Sequence, residues 1–395
     1  MQSTHPGATR AGSGVPHARP ARAGGVRVRV VQVSVVRHPR LRTGEEILAA
    51  WPAVEMAARA SADAGFETVV AQAAWRDEEL ERDGVRYRFV GEAEGQAARF
   101  RPRLPTVVAG LHPRVVHFQG LGSAQVRRYG GNGAAVLVQD HSDQLRGGWR
   151  LPLQRWALKR VDGALFTVAA QARPFFEAGV LRPGLRVFEV LEATSGFTPG
   201  DVDGARRATG IGGDPCVLWL GHLDANKDPL TILDAVSRVV PALPGIRLWM
   251  CFGTAPLEAE VRARLAAEPA LAARVTLLGR VPHARVEHLC RAADLFVQGS
   301  RREASSFSVL ESLACGVTPL VTDIPSLRRM TRGGAVGGLF RPGDAGGLAR
   351  LLEAFAARPR AELRREARAH FDRHLSPAAL SRELGAAYRA AAGEP

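Results

Sequence analysis

Apolar residues along the chain alternate between short β-branched runs and longer segments with a helical period. The run at 26–36 is rich in valine and predicts a buried strand. Residues 44–65 place apolar side chains at helical spacing and end at Gly65, which predicts a helix, and residues 66–73 return to a strand pattern. A strand, a helix and a strand in this order form a unit whose strands run parallel.

The same alternation continues through the chain in two series. The first continues with a helix near 96–111, strands at 113–120, 134–141 and 162–169 and a helix around 151–161, and it closes near 188–191. The second has strands at 216–223, 245–253, 274–279, 293–300 and 317–323 and helices at 228–241, 256–268, 282–292, 306–315 and around 344–357. Each series predicts a doubly wound parallel sheet, so the fold class is α/β with two Rossmann-like domains.

A chain of 395 residues is long enough for two domains with a cleft between them. We predict a disordered basic tail at 1–26, an N-terminal Rossmann-like domain at 27–195 and a C-terminal Rossmann-like domain at 196–370. Residues 371–395 are expected to form a C-terminal helix, and a return of this helix to the first domain is left open. Ligands of open parallel sheets bind beyond the carboxyl ends of the strands, so the loops after the strands should carry the function.

Composition narrows the class of protein. The hydrophobic fraction of 46% is that of a globular protein, and no apolar run approaches the roughly 20 residues of a membrane span. The first 26 residues lack the apolar core of a signal peptide, so we expect a cytoplasmic protein. The four cysteines are scattered singly, which favours buried thiols over a zinc site or disulfides. We predict no metal and no cofactor.

The net charge of +14 is carried almost entirely by arginine, so composition alone says little about a partner. Its distribution is more informative, because residues 101–160 contain ten arginines or lysines but only Asp140 and Asp143 as acids. This excess would attract anionic lipid head groups or an anionic acceptor, and a solvated surface is the alternative. A peripheral contact with the inner face of the membrane is therefore left open. No recognition motif for nucleic acid accompanies the charge.

Two glutamates follow the predicted strand 293–300 at a spacing that suits ligand binding. Glu303 lies in the loop, and Glu311 lies within a helix that we start near Ser306, so they would flank a ligand placed over the start of that helix. The helix dipole favours an anion such as a diphosphate there. Pairs of glutamates are also common on helix surfaces. The turn residues expected to contact the ligand are Ser305, Ser306, Phe307 and Ser308.

The whole segment resembles the signature of the family 4 retaining glycosyltransferases of GT-B fold. That signature has an ADL-type strand, a glutamate, seven residues, a second glutamate, an ACG-type turn and a VxTD strand. This chain has AADLFVQGS, Glu303, Glu311, LACG at 313–316 and LVTD at 320–323. The resemblance implies a nucleoside diphosphate sugar as donor, with Glu303 near the sugar hydroxyls and Glu311 near the ribose hydroxyls. It also implies that the domain at 196–370 binds the nucleotide sugar and that the domain at 27–195 binds the acceptor.

Two further segments resemble the same family. GHLDANKDPLTILDA at 221–235 is similar to its Gly-Arg-Leu loop, which implies that Gly221 lies near the donor and that Lys227 binds the leaving diphosphate. His222 stands where the family usually has arginine, and it could donate to phosphate when protonated. VLVQDHSD at 136–143 resembles the family's strand-end histidine, which implies that His141 faces the donor sugar.

The chain departs from the family in its first strand-to-helix loop. Two adjacent glycines are usual there, whereas this chain has only Gly44. Either the donor is contacted less closely at this loop, or Arg40 or Arg42 replaces the backbone contact with its phosphates. Arg280 follows the strand at 274–279, where the resemblance implies the nucleotide base. His117 also ends a strand, and a structural role is slightly favoured over acceptor binding.

We therefore expect a retaining, hexosyltransferase-type enzyme of glycan biosynthesis that moves a sugar from a nucleoside diphosphate sugar to an acceptor hydroxyl. Catalytic roles fall to Glu303, Lys227, His222 and His141. The alternatives are a nucleotide-sugar epimerase or hydrolase on the same fold and a non-catalytic protein that binds a sugar nucleotide. A dehydrogenase is disfavoured because neither first strand leads into GxGxxG. The nucleotide, the sugar, the acceptor (lipid-linked or anionic acceptors included) and the oligomeric state stay undetermined.

Overall fold

A computed structural model of the chain describes residues 27–92, 102–131, 133–141 and 144–394. The predicted tail at 1–26 and part of the helix predicted near 96–111 lie outside the described residues. No helix among those described is both long and apolar enough to span a bilayer.

The first domain is built on an eight-stranded sheet. Its strands are β1 (Arg29–Ser34), β2 (Glu67–Ala74), β3 (Glu78–Arg82), β4 (Val85–Gly91), β5 (Val115–Gln119), β6 (Ala135–Gln139), β7 (Gly163–Phe166) and β8 (Arg186–Glu189). Its helices are α1 (Gly44–Ala50), α2 (Pro52–Asp63), α3 (Leu104–Gly110), α4 (Arg150–Leu158) and α5 (Arg173–Glu177). The strand order is β3-β4-β2-β1-β5-β6-β7-β8, and β3 is the strand that runs antiparallel to its neighbour.

The second domain is built on a six-stranded parallel sheet. Its strands are β9 (Cys216–Gly221), β10 (Arg247–Phe252), β11 (Val275–Gly279), β12 (Leu295–Gln298), β13 (Thr318–Thr322) and β14 (Gly338–Phe340), in the order β11-β10-β9-β12-β13-β14. Its helices are α6 (Val202–Thr209), α7 (Pro229–Val239), α8 (Glu258–Ala266), α9 (Pro269–Ala272), α10 (His283–Ala292), α11 (Phe307–Ala314), α12 (Pro325–Met330) and α13 (Ala345–Ala356). Two helices follow, α14 (Arg360–His374) and α15 (Pro377–Ala392).

Both sheets reverse their strand order at a central strand. In the first sheet β1 lies between β2 and β5, and in the second β9 lies between β10 and β12. The connections on either side of such a strand leave in opposite directions and open a crevice at its carboxyl end. The loops after β1, β5, β9 and β12 therefore border the region where a ligand can bind.

The helix predicted at 44–65 is two helices, α1 and α2, separated at Trp51. Pro52 has no backbone N–H to donate and restricts the residue before it, and Trp51 accordingly has φ −125° and ψ 67° instead of helical angles. The single-helix prediction was wrong because the apolar period continues through the proline without a visible interruption.

The hairpin of β3 and β4 was also missed. Asp83 and Gly84 form its turn with φ values of 51° and 74°, both in the left-handed region, which is the signature of a tight hairpin turn. The Asp-Gly dipeptide between two alternating runs is the signal that could have predicted it. The edge strand β14 has three residues, which is too short for a periodic pattern.

The last helix, α15, returns to the first domain and packs against α2. The Tyr388 hydroxyl lies 2.7 Å from Nδ1 of His117 on β5, and Nε2 of Gln32 on β1 donates to it at 3.2 Å. The Tyr388 ring also makes an edge contact with Phe66, with ring centroids 5.4 Å apart. Buried apolar residues of both domains form one continuous cluster with this helix, so α15 closes the core that the two domains share.

His117 is fully buried beneath this helix. Burial, together with the nearby His141, lowers the pKa of His117 to about 3, so the imidazole is neutral at ordinary pH. Its place between β5 and Tyr388 shows a structural role.

Replacing His117 should change how stability responds to acid. Below pH 6.5 an unfolded chain protonates this histidine whereas the folded chain does not, so stability is lost as pH falls from 6.5 toward 3, by about 1.4 kcal/mol per unit. Between pH 7 and pH 4.5 we expect the free energy of unfolding of His117→Gln, measured with urea, to fall by about 2.5 kcal/mol less than that of the wild type. The exposed histidine variant His112→Asn serves as the control, and equal losses for wild type and His117→Gln would contradict the assignment.

Candidate active site

A cavity of about 790 Å³ lies between the two domains, beyond the carboxyl ends of their strands. One wall is apolar and comes from the junction of α1 and α2, with Ala49, Ala50, Trp51, Pro52, Ala53, Val54 and Ala57. Polar side chains of the first domain border it at Gln32, Ser34, Gln119, His141 and Glu192. The second domain contributes His283, Phe307 and Glu311.

Helix α11 carries the second-domain side of the cavity. Phe307 begins this helix and is 40% exposed, and Glu311 lies one turn further on. Oε1 of Glu311 is 2.8 Å from Nε2 of His283, the first residue of α10. This hydrogen bond raises the pKa of His283 above its usual 6.5. Sequence reasoning missed His283, although its position shortly after β11 is a signal that could have found it.

Lys227 and Glu303 form an ion pair at the ends of β9 and β12. Their side chains are only 16% and 11% exposed. The loop that holds the lysine is fixed by Asp224, which accepts from the Lys227 amide at 2.8 Å. A Cβ at Gly221 would lie 3.2 Å from the Trp219 ring, which is a tight contact, and at an ordinary van der Waals distance of 3.5 Å from Cγ of Lys227. The structure thus brings together two residues that motifs 76 positions apart had predicted.

Glu303 is held by contacts from three directions. Nε2 of Gln298 donates to its carboxylate at 3.0 Å, and the Ser326 hydroxyl donates to its backbone carbonyl at 2.9 Å. From the first domain, Nε2 of Gln171 donates to the same carbonyl at 2.8 Å. The backbone of Glu303 is therefore held by both domains, and its carboxylate is held by Gln298 and Lys227 of the second domain.

The hydroxyls of the predicted serine turn are already engaged. Ser305 shares a hydrogen bond of 2.9 Å with Thr167 of the first domain. Ser306 and Ser308 donate to Oε1 of Gln298 at 2.7 and 3.3 Å. The prediction that these hydroxyls face a diphosphate is therefore corrected. The contribution left for an anion is the first-turn N–H groups of α11, which have no acceptor within the helix.

His222 follows β9 and has a defined tautomer. Its Nδ1 accepts from the backbone N–H of Thr254 at 3.2 Å, which places the proton of a neutral ring on Nε2. The ring can therefore donate to a phosphate without being charged, which corrects the expectation that protonation is needed.

His141 borders the cavity from the first domain. Its Nδ1 contacts the carboxylate of Glu192, and its Nε2 lies 2.6 Å from Oε1 of Gln119. These contacts orient the ring. Glu192 and Gln119 were not singled out from the sequence, although both follow or end first-domain strands.

Gly44 and the neighbouring arginines do not line the cavity. The Gly44 amide donates to Glu78 at 3.0 Å, and a Cβ at this position would lie 2.4 Å from the Phe89 ring. The glycine is therefore required by packing against β4, and the prediction that it approaches the donor was wrong. Arg42 stacks over Trp75 at 4.0 Å, and Arg40 donates its backbone N–H to His38. Arg280 is exposed after β11, and its role at the nucleotide base stays a prediction.

The predicted residues thus form two groups. His141, Phe307 and Glu311 line the cavity, whereas Lys227 and Glu303 are not among its lining residues and pair in the loops after β9 and β12. Gln298 connects them, because it binds both Glu303 and Ser306, the residue that precedes the helix. The arrangement offers a cation, N–H donors and a carboxylate on one side of the cleft and an apolar wall on the other.

Comparisons with known proteins agree with this architecture. Residues 201–370 match the family described as "Glycosyl transferases group 1". Proteins named D-inositol 3-phosphate glycosyltransferase from Mycobacterium tuberculosis and Mycobacterium bovis are 31% identical over 205 residues. The match covers 50% of this chain and 42% of those proteins, so it spans less than half of the length of these relatives.

Solved structures show the same fold over nearly the whole chain. Sucrose-phosphate synthase from Thermosynechococcus elongatus superposes with a TM-score of 0.68 at 20% identity, covering 92% of this chain and 99% of that one. HepE from Anabaena, in complex with UDP-glucose, has a TM-score of 0.68 at 16% identity with the same coverage. The two parallel-sheet domains and these superpositions agree on the fold, and residues 201–370 are similar to the group 1 glycosyltransferases. This chain has the GT-B fold.

Proposed function

We propose that this protein transfers a sugar from a nucleoside diphosphate sugar to an acceptor hydroxyl with retention of anomeric configuration. The observation that carries the proposal is the Lys227–Glu303 ion pair, largely buried beside the start of α11. An ammonium ion and the positive end of a helix at one place suit a diphosphate, which a reaction of this class must bind and release.

The donor would lie along α11, with the diphosphate over its first turn and the ribose hydroxyls on Glu311. The HepE structures were solved with UDP, with UDP and glucose, and with UDP-glucose, which makes UDP-sugars the first donors to test. Glu303 would exchange part of its contact with Lys227 for hydroxyls of the donor sugar.

Transfer breaks the bond between the anomeric carbon and the diphosphate oxygen, and the bonding electrons leave with the diphosphate. Lys227, the Nε2 hydrogen of His222 and the N–H groups of α11 would stabilise this charge, without a metal or a cofactor in the scheme. The acceptor oxygen then bonds to the anomeric carbon on the face that the diphosphate left. Its proton passes to a diphosphate oxygen. His141, oriented by Glu192, would face the reacting sugar.

Two other functions fit the same fold. A protein that binds sugar nucleotides without turnover would use the same donor contacts, and the replacement of the usual arginine by His222 favours it. A nucleotide-sugar epimerase would instead change the configuration of the sugar while it stays on the nucleotide.

The first prediction concerns the donor side. Wild-type protein, incubated with UDP-, GDP- and ADP-sugars and a panel of alcohol acceptors, should release nucleoside diphosphate. Lys227→Ala should lower kcat by about 10²- to 10³-fold, because the departing charge loses its cation. Glu303→Gln keeps the shape of the side chain and should also lower kcat, by at least about tenfold. The product of an α-linked donor should be α-linked by NMR.

Glu353→Ala, on the exposed face of α13, is the matched control and should be unchanged. Thermal unfolding of each variant separates loss of fold from loss of chemistry. Binding without turnover for every acceptor would indicate the non-catalytic protein, and an isomerised nucleotide sugar would indicate the epimerase. A β-linked product would refute the retention of configuration but not the transfer of the sugar.

The acceptor side of the cavity favours an amphipathic molecule. The wall at the α1–α2 junction is alanine, valine, proline and tryptophan, and none of the basic residues at 101–160 lines the cavity among the described residues. A phosphorylated acceptor, such as the inositol 3-phosphate in the names of the Mycobacterium proteins, would need cations. Among the described residues, the groups of the cavity lining that can carry a positive charge are the imidazoles of His141 and His283. We propose an acceptor that places an apolar group on this wall.

A charged side chain on this wall should therefore weaken acceptor binding and leave donor binding unchanged. Ala53 is at the second position of α2, where an acidic residue suits the helix terminus. We expect Ala53→Asp to raise KM for alkyl or aryl alcohol acceptors by about tenfold or more, with donor KM unchanged and Ala53→Ser close to wild type. An unchanged acceptor KM for Ala53→Asp would remove the apolar-acceptor proposal and leave the transferase proposal intact.

Donor affinity should depend on pH through His283. The carboxylate of Glu311 stabilises the protonated imidazole, and ribose hydroxyls would compete for the same carboxylate. Deprotonation above the raised pKa weakens the His283–Glu311 contact, so donor binding should tighten as pH rises. We expect Kd for UDP-glucose to fall by about three- to tenfold between pH 6 and 8.5 in calorimetry. His283→Ala should bind with little pH dependence, and a wild-type Kd that rises over this interval would exclude the competition.

A further inference from the structure

Helix α4 presents an apolar stripe to solvent on the surface of the first domain. Trp149, Leu153 and Trp156, named here the tryptophan stripe, are 76%, 43% and 52% exposed. Their spacing of four and three residues places them on one face of the helix. The opposite face buries Ala157 and Leu158 in the domain core. The stripe is thus the outer side of a firmly anchored helix, and it is independent of the donor site.

Basic side chains surround the stripe. Residues 144–161 contain five arginines or lysines and no acid. The guanidinium of Arg150 lies 5.3 Å from the Trp149 ring centroid, and that of Arg127 lies 4.5 Å from the ring centroid of Trp156. The positive charge that the sequence shows over 101–160 is therefore concentrated, in part, around exposed tryptophan.

A small cavity opens beside the stripe. Its volume is about 260 Å³, and its lining residues are Gly122, Ala124, Arg146, Trp149, Arg150, Leu153 and Gln154. Gln154 is buried and holds the loop, since its Oε1 accepts from the Arg146 amide at 2.9 Å and its Nε2 donates to the Leu121 carbonyl at 3.2 Å. Two guanidinium groups next to apolar side chains match a phosphate that is attached to an apolar molecule.

We propose that the tryptophan stripe inserts into the head-group region of an anionic membrane, with a lipid phosphate held between Arg146 and Arg150. Tryptophan favours the boundary between lipid and water, and arginine adds attraction to anionic lipid. The positive charge argues against a second copy of this chain as the occupant, because two such surfaces would repel each other.

The cavity beside the stripe and the cleft are lined by residues that are neighbours in the sequence. Gly120 borders the large cavity and Gly122, two residues later, borders the small one. Docking through α4 would therefore bring the acceptor side of the cleft near the membrane surface.

Flotation of the full chain with vesicles tests the proposal. Vesicles of phosphatidylcholine alone are compared with vesicles that contain 30% phosphatidylglycerol, at low and physiological salt. Wild type should float with the anionic vesicles and much less with the neutral ones. Combined replacement of Trp149, Leu153 and Trp156 by alanine should reduce partitioning by about tenfold or more, and since the three side chains are exposed the fold should persist.

The arginine contribution is measured with a charge-matched pair of variants. Arg146→Ala with Arg150→Ala should weaken binding by about 20- to 30-fold. Arg182→Ala with Arg365→Ala removes the same charge at exposed positions elsewhere and should weaken it far less. Brominated acyl chains should quench the fluorescence of wild type but not that of the Trp149→Ala, Trp156→Ala variant.

Three results would overturn the proposal. They are equal binding to neutral and anionic vesicles, full binding by the stripe variant, and a wild type that does not float but forms a dimer that the stripe variant abolishes. The last would identify a second copy as the occupant. Because flotation needs no sugar donor, its failure is distinct from a failure of the transferase proposal.

Discussion

The ion pair of Lys227 and Glu303, whose side chains are 16% and 11% exposed, is the constraint on which this side of the cleft depends. A buried charge needs a partner, because leaving one ion alone costs about 3–5 kcal/mol. Glu303 is that partner, so the loops after β9 and β12 must stay in contact. Gln298 extends the arrangement, since it binds Glu303 and also fixes Ser306 at the start of α11. One ion pair therefore sets both the position of the cation and the direction of the helix that faces the cleft.

The first domain completes this arrangement across the cleft. Gln171 binds the Glu303 carbonyl, and Thr167 binds Ser305, so the donor loop is hydrogen-bonded to the loop after β7. Behind the cleft, Arg329 of α12 pairs with Glu383 of α15 at 2.5 Å. Burial raises the pKa of Glu383, and the arginine opposes that shift. Polar contacts at the front and the helix α15 at the back thus join two sheets that share no strands.

The sequence predicted what short-range patterns encode. Buried strands of a parallel sheet are continuous apolar runs, so β9, predicted at 216–223, was placed within two residues of its bounds. The resemblance of two separate motifs to a known family also identified Lys227 and Glu303. The sequence could not show that these two residues pair, nor that Gln298 would accept hydrogen bonds from the hydroxyls of Ser306 and Ser308. Side-chain direction depends on packing between segments that are distant in sequence. The break at Pro52 is different, since its signal was present in the sequence and was outweighed by the apolar period.

The break of the helix at Pro52 determines which side chains line the cleft. An unbroken helix would continue past Trp51, whereas the proline ends α1 and turns alanine, valine and tryptophan side chains toward the cavity. The donor wall opposite is polar and held by ion pairs and hydrogen bonds. Under the transferase proposal, the charged group belongs to the donor and the apolar group to the acceptor. Gly120 lines the cleft and Gly122, two residues later, lines the small cavity beside Trp149, so an acceptor presented at a lipid surface would fit the apolar wall.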